Sequence, residues 1–423
     1  MVKVRSARAR CSAARWREWG SGLSVAVQQP PQDAAVLELL DRYRFERPVH
    51  VTRPTMPSRE DYQRSLARLW ETGWLTNDGE FHQELGAALA RYLGVEHVSL
   101  CCNGTVALLI ALHAFRITSG EVITTPFTFP ATIHALYWNR VRPVFCDIDE
   151  KSFNLDPQRI EALIGPDTRA ILPVHVFGHP CDVEAIQAIA DKHGLHVIYD
   201  AAHVMGVRYR DASILEHGDC SVLSFHATKL FSTIEGGAIV SRSEVQRKRI
   251  DYLKNFGIED EETVIGPGIN GKMNEFQAAF GLLQIGMIES EIARRRRLTE
   301  LYREGLRTVP GLRVQEDMPG VRHNYAYLPI LVDPARYGRG RDELHGLLRQ
   351  FNVHSRKYFY PLCSHYPFYS ALPSARPENL PVAERVAERI LCLPLYGTLP
   401  EDAVERISAI LVALHSRRGE APV

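Results

Sequence analysis

Lysine is scarce in this 423-residue chain. Only eight of its 50 basic residues are lysines, so arginine carries almost every positive charge. An amine can lose its proton and attack a carbonyl carbon, whereas a guanidinium group effectively cannot. A lysine inside an apolar, hydroxyl-rich stretch therefore calls for a chemical explanation, and Lys229 in SFHATKLF (residues 224–231) is such a residue. The alternative is an ordinary surface lysine that follows a strand.

The chain also carries no formal net charge at pH 7. The 50 basic residues are matched by 50 acidic ones, which argues against a general electrostatic binder of nucleic acid, although a local basic patch stays open. Small molecules and a second subunit are the partners that this balance favours.

Paired cysteine motifs and long apolar runs are absent as well. The eight cysteines include no C-x-x-C pair and no metal-type spacing, so we predict no metal site and reduced thiols rather than a disulfide framework. No segment approaches the roughly 20 apolar residues that span a bilayer. The basic residues 1–22 are not followed by the apolar core of a secretory signal. We predict a cytoplasmic protein that binds neither nucleic acid nor membrane.

What the chain does contain is an alternation of short apolar runs and amphipathic helical stretches from about residue 60 to 245. This pattern is typical of βα units and a mainly parallel sheet. It predicts helices over 105–115, 130–139, 157–164 and 182–193. It also predicts seven strands, over 98–102, 121–125, 142–147, 169–177, 196–200, 220–226 and 237–241.

The chain is predicted to divide into three parts. They are an N-terminal arm that need not be ordered (1–45), a large domain (46–290) and a smaller C-terminal α/β domain (291–423). A helical run over 274–307 would connect the two domains, and its four consecutive arginines are predicted to form a solvated face. The aromatic-rich residues 357–373 form either a functional loop or one packed by its own rings.

Chemistry-bearing residues follow several of the predicted strands, at the edge where doubly wound sheets bind ligands. Asn103-Gly104-Thr105 joins the first strand to a helix, and a helix start with a glycine is a ready phosphate site. Phe127 and Phe129 leave the second strand. One of them could stack on a flat ring, or both could merely cover the end of the sheet.

Two further stretches lie at the same edge. Asp200 ends an apolar strand with His203 three residues on, and its carboxylate could hold a ring nitrogen or simply cap a turn. Ser224 and Lys229 surround the end of the sixth strand. A phosphate cradle, a stacking ring, an anionic partner for a pyridine nitrogen and a nucleophilic amine are together what pyridoxal phosphate needs from a protein.

The motifs at these positions resemble a known family. They are Asn103-Gly104-Thr105, PFTFPAT, DAAH, SFHATK, EGG, GINGKMNEFQAA, KYFYPL and LCLPLY. Over residues 50–415 the chain is similar to the DegT/DnrJ/EryC1/StrS sugar aminotransferases, which are fold-type I pyridoxal-phosphate enzymes. The resemblance implies a large domain with a mainly parallel seven-stranded sheet and a smaller C-terminal α/β domain.

The resemblance also implies roles for individual residues. Lys229 would be the lysine linked to the cofactor and would later move the proton. Asp200 would pair with the pyridine nitrogen, and His203 would lie beside the ring. The phosphate would be held by Gly104, Thr105 and Ser224, and Phe129 would stack on the ring. Asn270 would reach the neighbouring subunit's cofactor in a homodimer with shared active sites.

The implied function is transfer of an amino group from L-glutamate to a nucleotide-linked keto-sugar. Related dehydratases carry histidine at the position of Lys229, so the lysine favours an aminotransferase. Local similarity favours amination at C4 of dTDP-4-keto-6-deoxy-D-glucose in deoxyaminosugar biosynthesis. Amination at C3, another keto-sugar or keto-cyclitol, and a non-catalytic cofactor-binding regulator are the alternatives.

Overall fold

The structure is a computed structural model that describes residues 34–416. Its helices within that range are α1 (Ala34–Tyr43), α2 (Arg59–Thr72), α3 (Glu80–Leu93), α4 (Gly104–Ala114), α5 (Pro130–Trp138), α6 (Val183–His193), α7 (Glu244–Leu253), α8 (Glu275–Ile285), α9 (Ile288–Leu306), α10 (Pro334–Tyr337), α11 (Arg341–Gln350), α12 (Pro381–Arg389) and α13 (Glu401–Ser416).

The strands in the same range are short, as is common in α/β proteins. They are β1 (Val49–His50), β2 (His97–Cys101), β3 (Glu121–Thr124), β4 (Arg142–Phe145), β5 (Thr168–Leu172), β6 (His196–Asp200), β7 (Arg208–Tyr209), β8 (Ala212–Ser213), β9 (Cys220–Ser224), β10 (Gly237–Ser241), β11 (Leu312–Val314), β12 (Val321–Arg322), β13 (Leu328–Val332), β14 (Val353–His354) and β15 (Ile390–Leu393).

The predicted sheet is confirmed. Seven strands pair in the order β2-β10-β9-β6-β5-β3-β4, and all neighbours are parallel except those of β10. The prediction of strand 169–177 is wrong at its end, because β5 stops at Leu172 before Pro173, which has no N–H to donate. Residues Val176–Gly178 instead form a 3-10 turn in which Phe177 takes a left-handed conformation with φ of 57°.

Two helix predictions need correction. Residues 157–164 form two separate 3-10 turns, Pro157–Arg159 and Glu161–Leu163, because Gly165-Pro166 ends the segment before an α-helix could propagate. The run over 274–307 is two helices rather than one, since α8 ends at Ile285 with Gly286 as its cap and α9 begins at Ile288. The helix predicted over 182–193 is confirmed, and the Asp182 side chain caps it by accepting from the Ala185 amide at 3.1 Å.

A separate hydrophobic core lies under the C-terminal elements. The sheet β11-β13-β15 is antiparallel and packs with α9, α11 and α13. Helix α9 serves both cores, because Ile292 packs under the large sheet while Leu298 and Tyr302 pack under the small one. This helix therefore links the two layers, although the predicted domain boundaries remain a prediction.

The arginine run of α9 is not a uniformly solvated face. Arg295 is only 1% exposed, and its Nε donates to Glu291 Oε1 at 2.7 Å. Its Nη1 donates to the carbonyl of Ala326 at 3.1 Å, so a guanidinium predicted to face water instead ties two segments together. A buried charge of this kind needs such partners to be tolerated.

The predicted arm lies mostly outside the described residues. Its described part, from Ala34, forms α1, which packs against α13 and buries Leu39 in the C-terminal core. Strand β1 then pairs in parallel with β14. Over residues 34–416 none of the helices combines the length and apolar character required to cross a bilayer.

Candidate active site

The predicted site residues lie at one edge of the large sheet. Strand β6 ends at Asp200 and its parallel neighbour β9 ends at Ser224. Strand β10 begins at Gly237, directly opposite Ser224 and Cys101 in the antiparallel register. The chain therefore brings the ends of β2, β6 and β9 together, as the α/β pattern predicts.

Lys229 lies in the turn that connects β9 to β10. Backbone hydrogen bonds close this turn, from Phe225 N–H to Gly236 at 2.8 Å and from Thr233 N–H to Phe225 at 2.9 Å. The Lys229 amide donates to the carbonyl of His226 at 2.8 Å. The side chain is half-buried, and its Nζ donates to the Tyr327 phenol oxygen at 3.5 Å.

The environment of Lys229 destabilises the protonated form of its amine. Desolvation lowers the pKa of the Lys229 amine from 10.5 to about 8, although the Asp200 carboxylate opposes the shift. Burial disfavours the charged form of any amine, and a nearby anion favours it. At neutral pH a useful fraction of the amine is therefore unprotonated and nucleophilic.

Asp200 is held by two donors. Its Oδ2 accepts from the Thr132 hydroxyl at 2.7 Å, and its Oδ1 accepts from the Ala202 amide at 3.1 Å. Burial raises the pKa of the Asp200 carboxyl above its usual value, while these hydrogen bonds and Lys229 favour the charged form. A cationic ring nitrogen beside the carboxylate would satisfy it further.

His203 follows Asp200 in the same turn and is buried. Desolvation, with a smaller contribution from Lys229, holds the pKa of His203 well below its ordinary value, so the ring is neutral. Its Nδ1 accepts from the Phe177 amide at 3.2 Å, which puts the proton on Nε2. The ring is parallel to that of Phe359 within 3°, with 6.2 Å between the ring centroids.

A close approach of backbone to side chain forms a cradle at the start of α4. A Cβ added to Gly104 would lie 3.0 Å from the Ser224 Cβ, and one added to Gly237 would lie 2.8 Å from the Gly104 nitrogen. Asn103 caps α4 by accepting from the Val106 amide at 2.8 Å. The first amides of a helix have no partner within the helix, so the amides of Gly104 and Thr105 are suited to an anion.

The two phenylalanines that follow β3 have different surroundings. Phe127 is fully buried and packs on Phe177 and Phe359, so its role is to cover the end of the sheet. Phe129 precedes α5 and is 56% exposed. Of the two, Phe129 is the one with a face available to a ligand.

Asn270 lies on the exposed segment between α7 and α8. A backbone hydrogen bond of 2.8 Å from Cys102 to Gly271 brings this segment alongside the end of β2. The Asn270 side chain itself is exposed.

Sequence reasoning missed three residues of the site. Thr132 belongs to PFTFPAT. Its hydrogen bond to Asp200 forms because the ends of two strands lie close together in the fold, which the motif alone does not reveal. Asn324 donates to the carbonyls of His203 and Met205 at 2.7 and 2.9 Å. Tyr327 meets Lys229 across 98 residues of sequence. The polar and aromatic side chains of residues 322–327 are the local signal that could have pointed to the last two.

These residues fit pyridoxal phosphate. The glycine at the start of α4 leaves room that a Cβ would fill, beside the Ser224 hydroxyl and at the first amides of the helix. The anionic partner, the neutral histidine and the amine with a lowered pKa lie at the neighbouring strand ends. Among residues 34–416, no three His, Cys, Asp or Glu side chains are grouped so that they could hold a metal ion.

Comparison with known proteins gives consistent matches. Residues 57–412 match the DegT/DnrJ/EryC1/StrS aminotransferase family. The chain is 47% identical over 368 residues to the dTDP-4-amino-4,6-dideoxy-D-glucose transaminase of Escherichia coli, which covers 87% of this chain and 99% of the relative. It is 45% identical over 363 residues to the protein of the same name from Shigella dysenteriae, covering 86% and 98%.

Solved structures agree with this match. The structure of DesI in the presence of its TDP-sugar product superposes with a TM-score of 0.86 at 35% identity, covering 91% of this chain and 98% of DesI. A DegT DnrJ EryC1 StrS aminotransferase from Brucella abortus superposes with a TM-score of 0.79 at 29% identity, covering 84% and 95%. The predicted fold-type I architecture is confirmed.

Proposed function

This chain belongs to the DegT/DnrJ/EryC1/StrS aminotransferase family, and we propose that it aminates C4 of dTDP-4-keto-6-deoxy-D-glucose with L-glutamate as donor. The chain is a pyridoxal-phosphate-dependent transaminase. The observation that carries the substrate assignment is the 47% identity, over nearly the whole relative, to the dTDP-4-amino-4,6-dideoxy-D-glucose transaminase of Escherichia coli. The product would be dTDP-4-amino-4,6-dideoxy-D-glucose.

We propose Lys229 as the residue that links to the cofactor and moves the proton. When bound, the cofactor supplies a ring that withdraws electrons from the donor's α-carbon. The neutral amine of Lys229 takes the proton from that α-carbon, which requires a pKa near the working pH. The value of about 8 supports this role.

Asp200 and His203 would hold the cofactor ring. The Asp200 carboxylate accepts a hydrogen bond from the protonated ring nitrogen, and Thr132 fixes the carboxylate for that task. His203 has its Nδ1 already occupied, so its Nε2–H is the group it can offer. Both residues are buried, which strengthens their electrostatic interactions.

The phosphate would lie at the start of α4. The amides of Gly104 and Thr105 and the Ser224 hydroxyl are proposed as its donors, and Phe129 as the aromatic that stacks on the ring. The 3.0 Å approach that a Gly104 side chain would make to Ser224 supports this assignment, since only glycine leaves room there.

We propose that the enzyme acts as a homodimer in which Asn270 contacts the partner's cofactor phosphate. Exposed apolar side chains on the segment of Asn270 support self-association, since monomers rarely expose large apolar patches. They are Phe256, Ile258, Val264, Ile265 and Ile269, with 38 to 66% of each exposed. Trp70 on α2 and Trp74 just after it are exposed as well.

The substrate is tested with purified enzyme, the ketosugar and L-glutamate, with the product identified by mass and NMR. We expect a product with an amine at C4 and none with Lys229→Ala. Amination at C3, or no amination, would refute the substrate assignment.

Shared sites are tested by mixing two inactive variants, Lys229→Ala and Asn270→Ala, after dissociation and reassociation. A mixed dimer with shared sites has one site with both defects and one with neither. We expect about a quarter of wild-type activity to return, because half of the dimers are mixed. No recovery, despite mixed dimers detected by mass, would contradict sharing.

A further inference from the structure

The amine of Lys229 contacts a polar group outside the motifs that suggested the function, the phenol of Tyr327. The Lys229 Nζ donates to the phenol oxygen at 3.5 Å and lies 5.7 Å from the centroid of the tyrosine ring. The amine thus meets both the oxygen and the ring of the same residue. A hydrogen bond of this length is weak in the resting arrangement and can shorten when the lysine moves.

The ring of Tyr327 is held in place by other rings. Its centroid lies 4.9 Å from that of His203, 5.8 Å from that of Phe177 and 5.7 Å from that of Tyr358. These contacts restrict the side chain on several sides. The phenol oxygen therefore stays directed at the amine.

The backbone on either side of Tyr327 is anchored as well. Asn324, three residues before it, donates to two carbonyls of the turn that carries His203. Arg295 donates to the carbonyl of Ala326, the residue directly before Tyr327. The strand ends that hold the cofactor residues and helix α9 therefore fix the position of this one tyrosine.

We propose that Tyr327 positions Lys229 during proton transfer, holding its Nζ at the reacting carbon once the lysine is released from the cofactor. The inference rests on the proposed function of Lys229. A phenol suits this task because its oxygen accepts from an ammonium and its O–H donates to a neutral amine. The proton moves from the donor's α-carbon to the Lys229 Nζ, and the phenol neither gains nor loses a proton overall.

The titratable groups around the pair fit a phenol that positions the amine and an amine that carries the proton. Burial raises the pKa of Tyr327 above its ordinary value, so the phenol keeps its proton while Lys229 titrates. Asp200 and His203 face the lysine, whereas Cys392 and Arg295 act on the tyrosine. None of these groups is removed by replacing the phenol with phenyl.

The test compares Tyr327→Phe with Tyr325→Phe. The Tyr325 hydroxyl bonds to Asp317 at 2.8 Å near the surface, so this variant removes an equivalent hydroxyl from the same segment. The first readout is the single-turnover rate with L-glutamate, followed by the visible spectrum, with protium or deuterium at the α-carbon. We expect Tyr327→Phe to slow the reaction about 10-fold and to increase the isotope effect, since proton transfer itself becomes slower. Tyr325→Phe should match the wild type.

The second readout needs neither cofactor nor substrate. The pH midpoint for acetylation of Lys229 in the cofactor-free full-length protein, measured by peptide mass spectrometry, reports its pKa. We expect Tyr327→Phe to lower this midpoint by about half a unit, because the ammonium loses an acceptor. If the proposed role of Lys229 in transamination were wrong, Tyr327→Phe would still lower the midpoint, because the contact with the amine would still be lost. Neither variant would then change the rate of the reaction with L-glutamate.

The outcomes separate positioning from packing. A slower reaction together with a larger isotope effect and a lower midpoint supports positioning. Loss of activity with an unchanged isotope effect and midpoint would mean that the hydroxyl acts on another part of the site than the lysine, and it would overturn the proposal. Wild-type values of the rate, the isotope effect and the midpoint would mean that the ring only packs, and they would overturn the proposal too.

Discussion

The titration of Lys229 gives the most detailed prediction about the site. The Lys229 amine has a pKa of about 8 in the folded protein against 10.5 for an ordinary lysine. At pH 7 about a tenth of the amine would then be neutral, compared with roughly three parts in ten thousand for an ordinary lysine. The folded site thus raises the nucleophilic fraction about 300-fold at neutral pH.

The assay is acetylation of the cofactor-free protein across pH 6 to 11, with the Lys229 peptide quantified by mass spectrometry. The same peptide in the protein unfolded by urea is the internal control, because unfolding removes the desolvation that shifts the pKa. We expect a midpoint near 8 in the folded protein and about 2.5 units higher after unfolding. Equal midpoints in the two states would refute the reasoning, since partial burial would then have no effect on the amine.

Three further variants test the site and its support. Asp200→Asn should slow the glutamate reaction at least about 100-fold by single-turnover kinetics, because the ring nitrogen loses its anionic partner; a smaller effect would argue against that pairing. Gly104→Ala should weaken cofactor binding about 10-fold in a spectroscopic titration. Gly86→Ala, where a Cβ meets nothing within 4 Å, should not weaken it. Equal cofactor affinities of the two variants would contradict the assignment of the start of α4 as the phosphate site. Arg295→Leu should cost about 3–5 kcal/mol in urea unfolding, because the buried Glu291 carboxylate loses its cationic partner. The exposed Arg296→Leu should cost less than about 1 kcal/mol, and similar losses in the two variants would contradict the buried pair.

The parts of the fold that local pattern determines were predictable. The seven strands and the helix capped by Asp182 follow from apolar periodicity and capping, which depend on neighbouring residues alone. The errors occur where a local breaker or a distant partner decides. Pro173 ends β5 early, and Arg295 is buried because Glu291 and the distant Ala326 carbonyl accept its donors.

The candidate site shows the same division. Lys229 and Asp200 could be identified because each follows a strand and carries a chemistry that cofactor binding requires. Thr132 and Tyr327 could not, because each matters only through a contact with a residue far away in sequence. The spacing between Tyr327 and Lys229 is 98 residues, and only the folded arrangement makes them neighbours.

The central claim is that the amino group is delivered to C4 of the dTDP-linked ketosugar. The most direct measurement uses L-glutamate labelled with ¹⁵N and records the carbon–nitrogen coupling of the product by NMR. We predict that the label is bonded to C4 and that Lys229→Ala gives no labelled sugar. A label bonded to C3, or a wild-type enzyme that labels no sugar, would contradict the account.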